Sequence, residues 1–426
     1  MTPESKLNLS SFFGIGLIFP LFFQLSGHIY NSSTTLLDSG GKLATLPLPL
    51  SILVCFGGIL VWIKNYKSTY FGWIFITIFC AVMSISLCAS SISVGFELRK
   101  ALLMLQFLLP TFGLIAGLLI EDNDKSIAKS FLYTLLFLVP LQLICGWMQD
   151  TITLTHNLYL FGIYSHIEYV PPILVCAFAY TLSLLWDSHK RRLSILTLLM
   201  LIYVVSSTSF LTIFAYFSFI IVFSCSKIYG NWQQSQRRFI LPILSLMTVA
   251  VIIFYLPTAY NKLGNLTHHN SLTSENLSTK YTDLYNGKIP SNIQERLDIW
   301  KLYTDGMTDN TAILLLGHPA PLPREIRSSA HNWYLDLIYN FGIIALLPIL
   351  FLILFTTHQY LRSKRKVGSD TFWLAVIVFF LVIIDNNFKV TLRQPYPGIF
   401  AFFMWGLLLS NLRVNHDQTP SSTVYR

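Results

Sequence analysis

Runs of about 20 apolar residues, each closed by a short polar stretch, recur along the 426-residue chain and predict about twelve membrane-crossing helices. They fall at roughly 9–26, 43–63, 70–93, 101–120, 130–149, 169–186, 193–206, 209–225, 239–258, 333–356, 370–388 and 396–412. The seventh and eighth share one unbroken run from Leu193 to Cys225, too long for a single crossing. Ser206-Ser207-Thr208-Ser209, in its middle, is the predicted tight turn. The expected fold class is all-α: a polytopic integral membrane protein forming a single membrane domain over residues 1–426. One long loop, 259–332, is inserted between the ninth and tenth spans.

That loop is the main departure from the pattern. It opens with a soft Asn/Thr/Ser/His segment, Asn261 to Lys280, and tightens from Ser291. Ser291 or Asn292 suits a helix cap with Glu295 in the first turn. Ile293, Leu297, Ile299, Trp300 and Tyr303 then give the helix an apolar stripe, as expected of a helix lying along a membrane surface. Gly317-His318-Pro319 through Pro323 breaks the chain before the tenth span. No internal repeat or low-complexity tract is present.

Composition agrees with the pattern. The chain is 54% hydrophobic and 12% charged, about half the charge of an average soluble domain. The first apolar run is followed by Gly27-His28-Ile29-Tyr30, which is not a small-residue cleavage site, so a cleavable leader is not expected. The six cysteines lie in or beside apolar runs, and neither a disulfide framework nor metal-ligand spacing is predicted.

A formal net charge of +9 raises the question of nucleic acid. The distribution answers it. With the N-terminus inside, cytoplasmic segments carry seventeen of the 29 Lys and Arg residues, short outer loops five (Lys42, Arg99, Lys100, Lys389 and Arg393) and the long loop seven. This asymmetry orients the chain, with both termini cytoplasmic and the long loop outside. No nucleic-acid partner is expected; membrane lipid is.

The candidate chemistry gathers at the outer mouth of the tenth span. Arg296 offers a fork of donors suited to a diphosphate arriving from the bilayer, or to a lipid headgroup or carboxylate. His331 begins the tenth span; imidazole, with an ordinary pKa of about 6.5, accepts or relays protons, and equally serves as a helix-end residue. Asn332, Asp336 and Asn340 follow at helical spacing as one polar stripe in an apolar helix. Asp336 has Lys389, Arg393 and His331 as candidate partners. Arg324 and Arg327, just upstream, add positive charge, which together with Arg296 makes an anion funnel. Asp385-Asn386-Asn387-Phe388-Lys389 reads as a structural helix end, and His268-His269 is an isolated pair. No phosphate-cradling glycine loop and no outer carboxylate pair for a metal is found, so no cofactor is expected.

Glu295-Arg296-Leu297-Asp298-Ile299-Trp300, Leu316-Gly317-His318, and His331-Asn332-Trp333-Tyr334-Leu335 with Gly342 resemble the shared domain of O-antigen ligases and Wzy-type O-antigen polymerases. The motif-bearing stretch covers about 55 residues, while span count and loop placement extend the likeness along the chain. The resemblance implies a metal-independent inner-membrane glycosyltransferase with a periplasmic site. Its donor would be an undecaprenyl-diphosphate-linked glycan and its acceptor a glycan or lipid A–core, with a chain-length regulator protein among the partners to consider. By the same resemblance His331 activates the acceptor hydroxyl and Arg296 holds the donor diphosphate. Arg324, Arg327, Asn332, Asp336 and Arg393 are the expected substrate-binding residues.

Two departures qualify it. Many relatives carry Ser-Arg-Gly where this chain has Ser206-Ser207-Thr208-Ser209, so a second diphosphate ligand is missing or is replaced by Arg324, Arg327 or Arg393. The second glycine of the Leu-Gly-x-Gly turn is also absent. These differences favour a polymerase over a ligase. A protein O-oligosaccharyltransferase and a glycolipid flippase are the remaining alternatives.

Overall fold

A computed structural model describes residues 14–18, 66–120, 125–148, 169–206, 209–228, 291–323, 329–363 and 369–417. The second and ninth expected spans, most of the first, loop residues 259–290 with His268 and His269, and Arg324 and Arg327 lie outside the described residues.

The described residues are helical, with no strand among them. In chain order the helices are α1 (Tyr66–Val94), α2 (Leu98–Leu108), α3 (Phe112–Leu119), α4 (Ser126–Met148), α5 (Val170–Ser206) and α6 (Phe210–Ile228). Then come α7 (Ser291–Thr308), α8 (Thr311–Leu316), α9 (Trp333–Phe341), α10 (Leu347–Ser363), α11 (Ser369–Phe379) and α12 (Pro395–Asp417). Among the described residues, five helical stretches are long and apolar enough to cross a membrane: Thr69–Val94, Leu98–Leu119, Val170–Val205, Ile343–Ser363 and Asp370–Phe388.

Three of the expected spans, 101–120, 333–356 and 370–388, are interrupted, each for a local reason. Pro110 cannot donate an amide hydrogen bond, and a 3₁₀ turn, Leu109–Thr111, joins α2 to α3 around it. The expected span 333–356 divides at Gly342, whose φ of +82° ends α9 before a 3₁₀ turn and α10. Helix α11 runs into a π-helical turn, Phe380–Asp385, and a last α turn, Asn386–Phe388.

The chain divides into two compact units. In the one spanning Leu132–Leu297, α5 breaks at His189 (φ −133°, ψ 35°). Tyr216 of α6 both stacks on Phe178, at 5.7 Å between centroids, and donates from its hydroxyl to the Thr197 carbonyl at 2.8 Å. In a straight helix Phe178 and Thr197 would lie about 28 Å apart. The chain therefore folds back at His189, and Lys190-Arg191-Arg192, expected as a loop, continue as helix.

The other unit holds the described residues up to Phe131 and from Asp298 onward. Its centre is the contact of α3 with α12. A Cβ on Gly113 would lie 2.3 Å from the Ile399 carbonyl oxygen, and one on Gly117 2.2 Å from that of Phe403. Gly406 approaches the Leu114 carbonyl oxygen as closely from the other side. The Gly113-x-x-x-Gly117 spacing lets the two backbones touch, as small residues do between membrane helices. Helix α9 is fixed on α2 by fully buried rings: Trp333 on Phe107 at 5.5 Å and Phe341 on Phe107 at 5.7 Å.

Candidate functional site

Helix α9 carries the residues singled out in the sequence, and its two ends are built differently. At its start, the Asn332 side chain accepts from the backbone N–H groups of Tyr334 (3.0 Å) and Leu335 (3.1 Å), an N-cap that satisfies two amides lacking helical partners. His331, just outside the helix, has φ +48°. Left-handed backbone disfavours residues with a Cβ, and a non-glycine residue held there reflects constraint by its surroundings. The constraint is visible on both sides. Asn332 pins the helix start, while the Ala330 N–H donates to the Asp336 carboxylate and the Ala330 carbonyl accepts from Trp300 Nε1 at 3.1 Å.

The stripe Asn332, Asp336 and Asn340 is buried, at 6%, 1% and 4% exposure, so these side chains face protein rather than lipid or water. Of the candidate partners for Asp336, the structure selects Arg393, whose Nη1 donates to Oδ2. Asn340 Nδ2 donates to the Asp336 backbone carbonyl at 2.7 Å. Helix α9 stands apart from the five candidate crossings.

Lys389 takes a different carboxylate, Asp385, at 3.3 Å; both are almost fully buried. The π-helical turn makes this arrangement. It frees carbonyls along Phe380–Asp385, and side chains occupy them: Tyr334 Oη donates to Val382, Asn387 Nδ2 to Ile383 and Asn386 Nδ2 to Leu381. Asn386 Oδ1 accepts from Leu392 N–H at 2.9 Å, and the Thr391 hydroxyl donates to Asp385. This network sets the turn Thr391–Arg393 that presents Arg393 to Asp336.

The far end of α9 is locked by two glycines. Gly317 and Gly342 have φ of +87° and +82°; a Cβ on Gly317 would lie 2.5 Å from the Asn340 carbonyl, and one on Gly342 2.0 Å from the Leu315 oxygen. His318 N–H donates to the Tyr339 carbonyl at 2.7 Å, and the two rings stack at 5.0 Å. Thus Leu316-Gly317-His318 and Gly342, two of the motif fragments, act together as one interlock.

Helix α7 lays Ile299, Tyr303 and Met307 into a cluster with Ala330 and Tyr339. Part of its apolar stripe is therefore covered by protein, while Leu297 remains 42% exposed. Arg296 lies on α7 one turn before Trp300 and, by helical spacing, on the face shared by Ile299 and Tyr303. The two units divide within α7, between Leu297 and Asp298.

Among the expected site residues, then, His331, Asn332, Asp336 and Arg393 come together in one unit, Arg296 is placed on α7, and Arg324 and Arg327 lie outside the described residues. Among the described residues no group of three or more His, Cys, Asp or Glu side chains is placed to hold a metal. The chain matches no protein-family model, and a comparison with curated proteins finds no match.

Proposed function

We propose that this protein is an inner-membrane glycosyltransferase that joins lipid-diphosphate-linked repeat units of a surface polysaccharide. In this reading about twelve spans carry both termini on the cytoplasmic side, and α7 and the start of α9 face the periplasm. The observation that supports it best is His331: a histidine in left-handed backbone, between a tethered alanine and a capped helix, beside a buried ion pair. Strain maintained by that many contacts is characteristic of a functional position.

In the proposed reaction His331 accepts the proton of an acceptor sugar hydroxyl. The hydroxyl oxygen bonds to the anomeric carbon of the donor, the bond from that carbon to the diphosphate oxygen breaks, and undecaprenyl diphosphate departs with the electron pair. Direct displacement inverts the anomeric centre. Arg296, on the α7 face that carries Trp300, is assigned to the departing diphosphate, whose negative charge a guanidinium fork matches. The absence of arginine from Ser206-Ser207-Thr208-Ser209 favours a polymerase over a ligase.

The test is the lipopolysaccharide ladder of a deletion strain complemented with wild type or His331→Ala. A polymerase leaves core bearing a single repeat, restored by wild type alone. Bare core with accumulated lipid-linked polymer would mean a ligase, and an unchanged ladder would overturn both. Purified protein forming glycosidic bonds from lipid-linked donor without ATP or an ion gradient excludes transport as its main activity.

A further inference from the structure

Lys100 is fully buried, and its surroundings are unusual for a cation. Among the described residues no carboxylate pairs with it. Its ammonium instead donates to the Ser90 hydroxyl and, at 2.9 Å, to the carbonyl of His318, and lies 5.6 Å from the centre of the Phe341 ring. Ser90 sits in the last turns of α1, and its hydroxyl in turn donates to the Ser86 carbonyl at 2.8 Å. Ser86 also donates to the Leu316 carbonyl. Phe341 is the final residue of α9. Two neutral oxygens, a ring face and the carbonyl-rich end of α9 thus replace a counter-ion.

Burying an ammonium without a carboxylate is costly, and a methionine would fill similar space without that penalty. The hydrogen bond to His318 supplies a reason. That carbonyl belongs to the turn interlocked with α9 through Gly317, Gly342 and the His318–Tyr339 stack. We propose that Lys100 is a positioning residue for His331: it fixes the Gly317–His318 turn against the C-terminal end of α9, so that the helix cannot shift along its axis and its other end holds His331 in place. The helix is then clamped twice, by Lys100 at one end and by the Asp336–Arg393 pair in its first turn. The link to turnover rests on the transferase reading; the clamp itself does not.

Full-length protein in lipid nanodiscs separates the two. In Lys100→Met, amide exchange in 314–320 and 329–341 should quicken about 10-fold, the scale of losing a hydrogen bond to a charged group, with 396–412 unchanged. Turnover per folded molecule, with the folded fraction taken from monodisperse protein whose 396–412 exchange is native, should fall at least about 10-fold with donor KM within about 2-fold; this normalisation removes the effect of lost folded protein, which would otherwise lower turnover at constant KM. Ser90→Ala, which removes one acceptor and keeps the cation, should move the same peptides less and serves if Lys100→Met does not fold. Unchanged exchange in these peptides, or acceleration spread evenly over the chain, overturns the clamp. A variant with loosened peptides but wild-type turnover overturns the positioning role. Wild-type protein without any transfer activity would refute the proposed function, while the exchange data still decide the clamp.

Discussion

Arg393 reaches across from the turn after α11 to donate to Asp336, one turn into the helix that begins beside His331. The pair is nearly out of reach of solvent, with the two side chains 11% and 2% exposed. Because the Asp336 carboxylate also accepts from the Ala330 N–H, it connects the last elements of the chain to the residue preceding His331.

Removing one partner from a buried pair strands the other charge. Asp336→Ala and Arg393→Ala should each destabilise by about 3–5 kcal/mol, whereas Asp336→Leu with Arg393→Met should recover much of that loss. Thermal unfolding of the purified variants in detergent measures it. Two single variants and a double that lose stability additively would show that the pair is not coupled.

How much of this arrangement was legible in the sequence depends on the range of the signal. Asn332, Asp336 and Asn340 share a face because of helical period alone, and their burial as one connected group follows the pattern. The choice of Arg393 over Lys389 for Asp336 was not legible. Lys389 meets Asp385 at ordinary i,i+4 spacing, whereas Arg393 reaches Asp336 through the turn Thr391–Arg393, whose position depends on contacts of Asn386 and Thr391 that helical period does not show. The left-handed backbone of His331 depends in part on the bond from Trp300 to the Ala330 carbonyl, 30 residues away in sequence. Lys100, counted with the outer-loop charges, gave no periodic signal of burial. By contrast, the Gly113-x-x-x-Gly117 spacing is a readable marker of the α3–α12 contact, and the positions of Gly317 and Gly342 in the motif fragments anticipate their joint role.

The backbone of His331 makes a prediction that separates stability from activity. Glycine adopts φ near +48° freely, so His331→Gly should be as stable as wild type or more so, by up to about 1 kcal/mol, while transfer is lost. Most substitutions that abolish activity through misfolding lower the unfolding midpoint; this one should not. A large fall in stability would show that the imidazole is primarily a structural group.

The interlocked glycines offer a graded comparison. Gly342→Ala and Gly317→Ala each combine left-handed backbone with a Cβ driven into neighbouring main chain, and each should cost more than about 2 kcal/mol. Gly95 has a similar φ of +88° with nothing within 4 Å, so Gly95→Ala should show the conformational strain alone, about 1 kcal/mol. Equal effects at all three positions would mean that the close approach of α8 and α9 contributes nothing.

Trp300 provides the last test, because its indole N–H adds a hydrogen bond to the packing of α7 on the residue before His331. Trp300→Phe keeps an aromatic ring on the helix face shared with Ile299 and Tyr303 but removes the donor to the Ala330 carbonyl. A single hydrogen bond of this kind contributes about 1 kcal/mol, so the unfolding midpoint should shift by only a few degrees. If that bond fixes the segment from which His331 projects, turnover should fall disproportionately, by about 10-fold or more, since small displacements of a reacting group are amplified in the rate. Trp300→Phe with wild-type turnover would place the catalytic constraint on Asn332 and Asp336 alone, and the α7 contact would then be a packing contact only.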